Sequence, residues 1–170
     1  MIENKVIDDA VESIRDNGLV ILEDCVSSGS CRKAIQMLES QLEERRAANI
    51  YCGNETNQVL DNYFMDCPDL LEYLYHPLVD GIMRQLIDDD YVLISPSARN
   101  RRLLKGQSFG RKTSGFGWHV DARFLGNQAI MPNPNYTAIT VLESFGRENG
   151  ATEYVPNSHK LATKPSSRNE

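Results

Sequence analysis

The sequence is short of histidine, tryptophan and long apolar stretches, and these scarcities narrow the class of protein. It has three histidines and one tryptophan among 170 residues. No apolar run approaches the roughly 20 residues that a transmembrane helix needs. The N-terminus enters a charged amphipathic segment without the apolar core of a signal peptide. We therefore expect a cytoplasmic protein with no membrane partner.

Cysteine spacing and the supply of basic residues exclude two further classes. The four cysteines lack the CxxC spacing of zinc sites and indicate no disulfide framework, so we expect reduced, packing side chains. There are 18 basic and 24 acidic residues, giving a net charge of −6. This balance disfavours a nucleic acid partner, because such binding rests on neutralising phosphates. With 41% hydrophobic and 25% charged residues, the sequence predicts one globular domain over 1–170.

Hydrophobic periodicity predicts a mainly helical N-terminal part, residues 1–90. Apolar residues at helical spacing predict a first helix from Val6 to Arg15, and Asn17-Gly18 is typical of a helix stop. A polar loop is predicted at 53–58. The other predicted elements are a strand at 18–22, a long helix capped within 27–30 and reaching Ala48, and short helices at 69–75 and 77–87.

Residues 91–160 have a β-type pattern instead. Strand-forming runs occur at 91–94, 99–105, 117–122, 136–142 and 151–155. Turn-forming sequences separate these runs. Helices followed by antiparallel strands favour an α+β domain whose sheet forms a sandwich or barrel. The last residues, 161–170, are predicted to form a polar tail.

The sequence Trp118-His119-Val120-Asp121 is the motif that carries chemistry. Alternate side chains of a strand point the same way, so His119 and Asp121 would project from one face. An imidazole beside a carboxylate supplies two of the three ligands in the 2-His-1-carboxylate arrangement, which leaves positions of iron(II) open for cosubstrate and oxygen. Since His-x-Asp is a short pattern that also arises by chance, its context decides how to interpret it.

Basic and aromatic residues surround this motif. Arg102 and Lys105, within a basic stretch at 99–112, are candidates for holding an anionic cosubstrate or substrate, although a solvated basic loop explains them equally well. Phe116 and Trp118 either wall a substrate pocket or pack in the core. Thr140 is a further candidate for cosubstrate binding, since its strand parity directs its hydroxyl towards a barrel interior.

Three ordered blocks resemble the phytanoyl-CoA dioxygenase family. They are Gly117 to Asp121, Tyr136 to Leu142 and Glu148 to Lys160, which are similar to the WHxD strand, the following strand and the NG…PGSHK segment of that family. Asn157 replaces the usual glycine, and asparagine is the next-best residue for a left-handed turn. The resemblance extends over nearly the whole chain.

The resemblance implies a double-stranded β-helix, of jelly-roll or cupin-like type, with the N-terminal helices packed on the sheet. It also implies a dioxygenase that binds iron(II) and 2-oxoglutarate and uses dioxygen to hydroxylate a small molecule, with His119 and Asp121 as iron ligands. A carboxylate at Asp121 favours hydroxylation, because the related halogenases need that position vacated for chloride. The basic stretch further predicts that the bound small molecule is anionic.

Two parts of the family's site have no counterpart in the sequence: the distal histidine and the arginine that pairs with 2-oxoglutarate. We expect the sequence to be the N-terminal portion of a longer protein, because a β-helix stopped after Val155 leaves a sheet edge unpaired. A partner subunit, and hence an oligomer, would also close the sheet. His159 and His76 are expected to be structural. The alternative function is a non-catalytic ligand-binding or assembly protein that lacks a complete iron triad.

Overall fold

Over the residues that it describes, the computed structural model has three α-helices and a small sheet around two hydrophobic clusters. It describes the residues 2–101, 119, 121, 135–146 and 149–161. These residues form an α+β arrangement. Within this described part, no helix combines the length and the apolar character that crossing a bilayer requires.

The three α-helices form where periodicity and capping residues predict them. They are α1 (Ile2–Asn17), α2 (Ser28–Ala47) and α3 (Pro77–Leu86). Ser27 caps α2, since its hydroxyl oxygen accepts a hydrogen bond from the Ser30 amide at 3.1 Å. Pro77 lies in the first turn of α3, where a missing amide hydrogen leaves no helical bond unmade. The helical predictions for these segments are confirmed.

The sheet has two antiparallel strands, β1 (Asn57–Asp61) and β2 (Ser97–Arg101). Strand β2 confirms the beginning of the predicted run, whereas β1 begins inside a stretch whose polarity predicts a loop. Gln58 explains this error. It is buried, and its side-chain oxygen accepts a hydrogen bond at 3.1 Å from its cross-strand partner Asn100. A polar residue satisfied inside a sheet hides the apolar alternation that marks a strand.

The other strand predictions that fall on described residues are wrong. The runs without strand structure are 18–22, 91–94, 136–142 and 151–155. His119 lies in coil and Asp121 in a turn. A run of strand-forming residues indicates side chains that pack well on a half-buried surface. A strand also needs a neighbouring segment with which its backbone can form hydrogen bonds. The described residues therefore contain a two-stranded sheet, and the jelly roll is not seen among them.

Two hydrophobic clusters form the core. The α2 cluster lies where α2 meets β1 and the 3₁₀ helices Tyr63–Met65 and Pro68–Tyr73. Its buried members are Ala34, Leu42, Cys52, Leu60, Tyr63 and Leu70. The α1–α3 cluster joins those two helices through the buried residues Ala10, Val11, Ile82 and Leu86. Because burying one such aliphatic side chain contributes roughly 1.5–3 kcal/mol, these contacts hold the helices in place.

Residues 135–146 contact both clusters. Tyr136 packs against the α1–α3 cluster and Leu142 against the α2 cluster. Between them, the Thr140 hydroxyl donates a hydrogen bond to the carbonyl oxygen of Tyr73 at 3.3 Å. Burial raises the pKa of the Tyr136 phenol. The residues between Tyr136 and Leu142 are thus held at both ends.

A turn from far along the chain caps the C-terminal end of α1. Gly18 ends the helix with φ at +86°. The Asn157 amide donates to the carbonyl oxygen of Asn17 at 3.1 Å, and His159 Nε2 donates to that of Arg15 at 3.0 Å. These bonds satisfy two of the carbonyl groups that the last turn of any helix leaves unpaired.

Asp80 links α3 to the segments on either side of it. Its carboxylate accepts hydrogen bonds from Arg84 Nε at 2.9 Å, from the Tyr91 hydroxyl at 2.8 Å and from the Tyr75 hydroxyl at 3.3 Å. These hydrogen bonds hold the pKa of Asp80 below its ordinary value. The bond from Arg84 has the largest effect, and the bond from Tyr91 the next largest. This carboxylate is therefore favoured in its charged form.

Replacing Gly18 by alanine is expected to lower the free energy of unfolding by at least about 1–2 kcal/mol, the cost of a left-handed backbone with a Cβ. The added Cβ would also lie 2.5 Å from His159 Nδ1, so Gly18→Ala should cost less stability in a His159→Ala background than in the wild type. Urea unfolding measures both effects. Gly29→Ala is the matched control, because a Cβ there meets only Ser27 Oγ, at 3.7 Å. An equal loss in both glycine variants would contradict this account.

Asp80→Asn is expected to reduce the loss of stability on acidification. Because the native pKa of Asp80 is lowered, its contribution is present above the unfolded value of about 3.9 and is lost as the pH falls through the native value. Urea midpoints measured from neutral pH to about pH 2 follow this loss. Asp9→Asn is the control. Asp9 also pairs with a cation, Lys5, but the two side chains are 61% and 76% exposed, so solvent screens their interaction. The same acid response in wild type and Asp80→Asn would refute the prediction.

Candidate metal site

His119 and Asp121 lie beside each other at the surface. His119 Nε2 is 3.3 Å from Asp121 Oδ1, and the side chains are 39% and 54% exposed. Two donors bound at a right angle to one divalent ion, each about 2.0–2.2 Å from it, lie about 3 Å apart. The observed spacing therefore fits ligation of a single divalent ion by one imidazole nitrogen and one carboxylate oxygen. The exposure leaves room for further ligands.

Thr137 contacts the Asp121 side of this pair, and the sequence motif does not include it. Its hydroxyl donates a hydrogen bond to Asp121 Oδ2 at 2.8 Å, while Oδ1 is the oxygen that faces His119. No local pattern marks Thr137, since its segment has no strand structure and residues 137–141 are all exposed.

Thr140 lies on the same segment with the parity of Leu142. Its hydroxyl donates to the carbonyl oxygen of Tyr73, in the second 3₁₀ helix, at 3.3 Å. This bond fixes the segment to the α2 side of the core. The role of Thr140 in binding a cosubstrate stays a prediction.

Four of the sequence-predicted site residues lie outside the described residues. They are Arg102, Lys105, Phe116 and Trp118. Their roles in holding an anion or walling a pocket stay predictions. The basic stretch is described only as far as Arg101, the last residue of β2.

The two remaining histidines have the structural contacts that the sequence analysis expects. His76 precedes α3, and its Nδ1 accepts a hydrogen bond from the Leu78 amide at 3.3 Å, which caps the helix. His159 is fixed against the end of α1. Over the part of the chain that the structure describes, no group of three or more His, Cys, Asp or Glu side chains is placed to hold a metal ion.

Most of the chain matches a family model. That model is described as phytanoyl-CoA dioxygenase, and the match covers residues 14–169. No curated protein and no solved structure matches the chain. The matched range includes His119, Asp121 and Thr137, and the resemblance inferred from the three motifs is confirmed.

Proposed function

The chain belongs to the phytanoyl-CoA dioxygenase family, and we propose that it is an iron(II)- and 2-oxoglutarate-dependent dioxygenase that hydroxylates a small, anionic organic substrate. The observation that carries the proposal is the His119–Asp121 pair, whose nitrogen and oxygen donors are 3.3 Å apart within the matched range. We also propose that the protein adopts the double-stranded β-helix fold.

His119 and Asp121 are the residues that would hold the iron. A neutral imidazole offers the Nε2 lone pair, and an ionised carboxylate brings negative charge that offsets the charge of a divalent ion. Both donors are of the types that non-haem iron(II) oxygenases use, together with a second histidine. With both side chains at the surface, solvent or a ligand can approach the ion from the exposed side.

Bound iron(II) would bring dioxygen together with 2-oxoglutarate, and 2-oxoglutarate and the substrate would each give up two electrons, so that one oxygen atom would enter succinate and the other the hydroxylated substrate, with release of carbon dioxide. The chain's own residues bind and orient the reactants. Arg102 and Lys105 are proposed to pair with carboxylate groups of the cosubstrate or substrate, since cationic side chains bind carboxylates through charge-assisted hydrogen bonds. The proposal also includes Thr140 as a cosubstrate contact and Phe116 and Trp118 as pocket walls.

The proposal is tested by anaerobic titration of the protein with iron(II) and 2-oxoglutarate. We expect the weak visible charge-transfer band of a chelated 2-oxoglutarate complex in the wild type. His119→Ala and Asp121→Ala should each abolish the band, because losing a ligand costs more than the about 10–100-fold in metal affinity typical of losing an outer partner.

His76→Asn is the matched control, since it removes an imidazole and keeps a residue that caps helices well. It should retain the band. The oxygenase proposal would be overturned if the wild-type protein showed no band and the His119→Ala variant gave the same spectrum as the wild type. A wild-type protein that binds 2-oxoglutarate without metal would instead indicate the ligand-binding alternative.

A further inference from the structure

We propose that Thr137 is a positioning residue that fixes the plane of the Asp121 carboxylate and occupies one of its oxygens, so that the other oxygen, which faces His119, is presented to a divalent ion. This inference rests on the proposed function, since it concerns the same metal site. It adds a residue that the motif alone does not reveal, and it states that the carboxylate binds the ion through one oxygen while the other accepts a hydrogen bond.

The two side-chain contacts of Asp121 use different carboxylate oxygens. The Thr137 hydroxyl donates to Oδ2 at 2.8 Å, an ordinary distance for a strong O–H···O bond. Oδ1 lies 3.3 Å from His119 Nε2, the other donor of the proposed site. A carboxylate without such a bond can rotate about its last torsion, which is broad and roughly two-fold. The Thr137 bond restricts this torsion and so fixes the plane of the carboxylate.

Thr137 is suited to this role because its own position is fixed. It follows Tyr136, which packs against the α1–α3 cluster, and it precedes Thr140 and Leu142, which hold the segment to the other side of the core. Its β-branched side chain has few χ1 rotamers. Exposed coil and turn residues such as His119 and Asp121 gain most from a partner that is itself fixed by packing.

Thr137→Val tests the role, because valine keeps the shape of threonine and removes the hydroxyl, whereas Thr137→Ser keeps the hydroxyl. The probe is Co(II) alone, in place of the oxygen-sensitive iron(II). Calorimetry measures its affinity, and the visible absorption of the bound ion reports its coordination geometry. We expect Thr137→Val to weaken Co(II) binding about 10–100-fold, as losing an outer-shell partner typically does, and to alter the spectrum. Thr137→Ser should restore both towards the wild type.

Thr56→Val is the matched control. The Thr56 hydroxyl also donates to a side-chain oxygen, Asn54 Oδ1 at 3.0 Å, but in the loop before β1. It should leave Co(II) affinity and the spectrum unchanged, and circular dichroism checks that all variants keep their helices.

The outcomes separate this inference from the proposed function. Unchanged affinity and spectrum in Thr137→Val, with binding still lost in Asp121→Ala, would overturn the positioning role and leave the metal site standing. Failure of Thr137→Ser to restore binding would assign the loss to packing and would overturn it as well. A wild-type protein that binds no Co(II) would overturn both.

Discussion

The packing of Tyr136 and Leu142 into two different hydrophobic clusters is the constraint on which the candidate site depends. One cluster joins α1 to α3, and the other joins α2 to β1 and the 3₁₀ helices. The short segment between the two anchors includes Thr137, whose hydroxyl donates a hydrogen bond to Asp121. Apolar burial has no directional preference of its own, but here the burial of Tyr136 and Leu142 determines where the Thr137 hydroxyl group lies.

Buried polar side chains add the directional information that apolar contacts lack. Gln41 in α2 donates to the carbonyl oxygen of Tyr63 at 2.7 Å, and Gln58 in β1 pairs with Asn100 in β2. A one-residue shift between the strands would turn Gln58 outwards and leave a buried position for its neighbour. These bonds therefore fix which helix face and which strand register the clusters use.

The sequence predicts the helices well because their signals are local. Ser27 as a cap, Pro77 in a first turn and Gly18 as a stop each act within a few residues. The strands fail because pairing depends on distant segments: the apolar run at 92–94 stays 60–74% exposed, whereas polar Gln58 is buried. The motif predicts His119 and Asp121 as metal ligands, and this stays a prediction. Thr137 is missed, because its contact with Asp121 joins residues 16 positions apart that no local pattern relates.

The docking of residues 157–159 on the end of α1 has a consequence for the order of folding. His159 and Arg15, joined by a hydrogen bond, are 144 residues apart in the chain. At a synthesis rate of about 5–20 residues per second, α1 is synthesised about 7–30 s before its capping partner. During that interval the carbonyl groups of Arg15 and Asn17 have water as their partner in place of His159 and Asn157. Such a high-contact-order closure is expected to be among the last steps of folding.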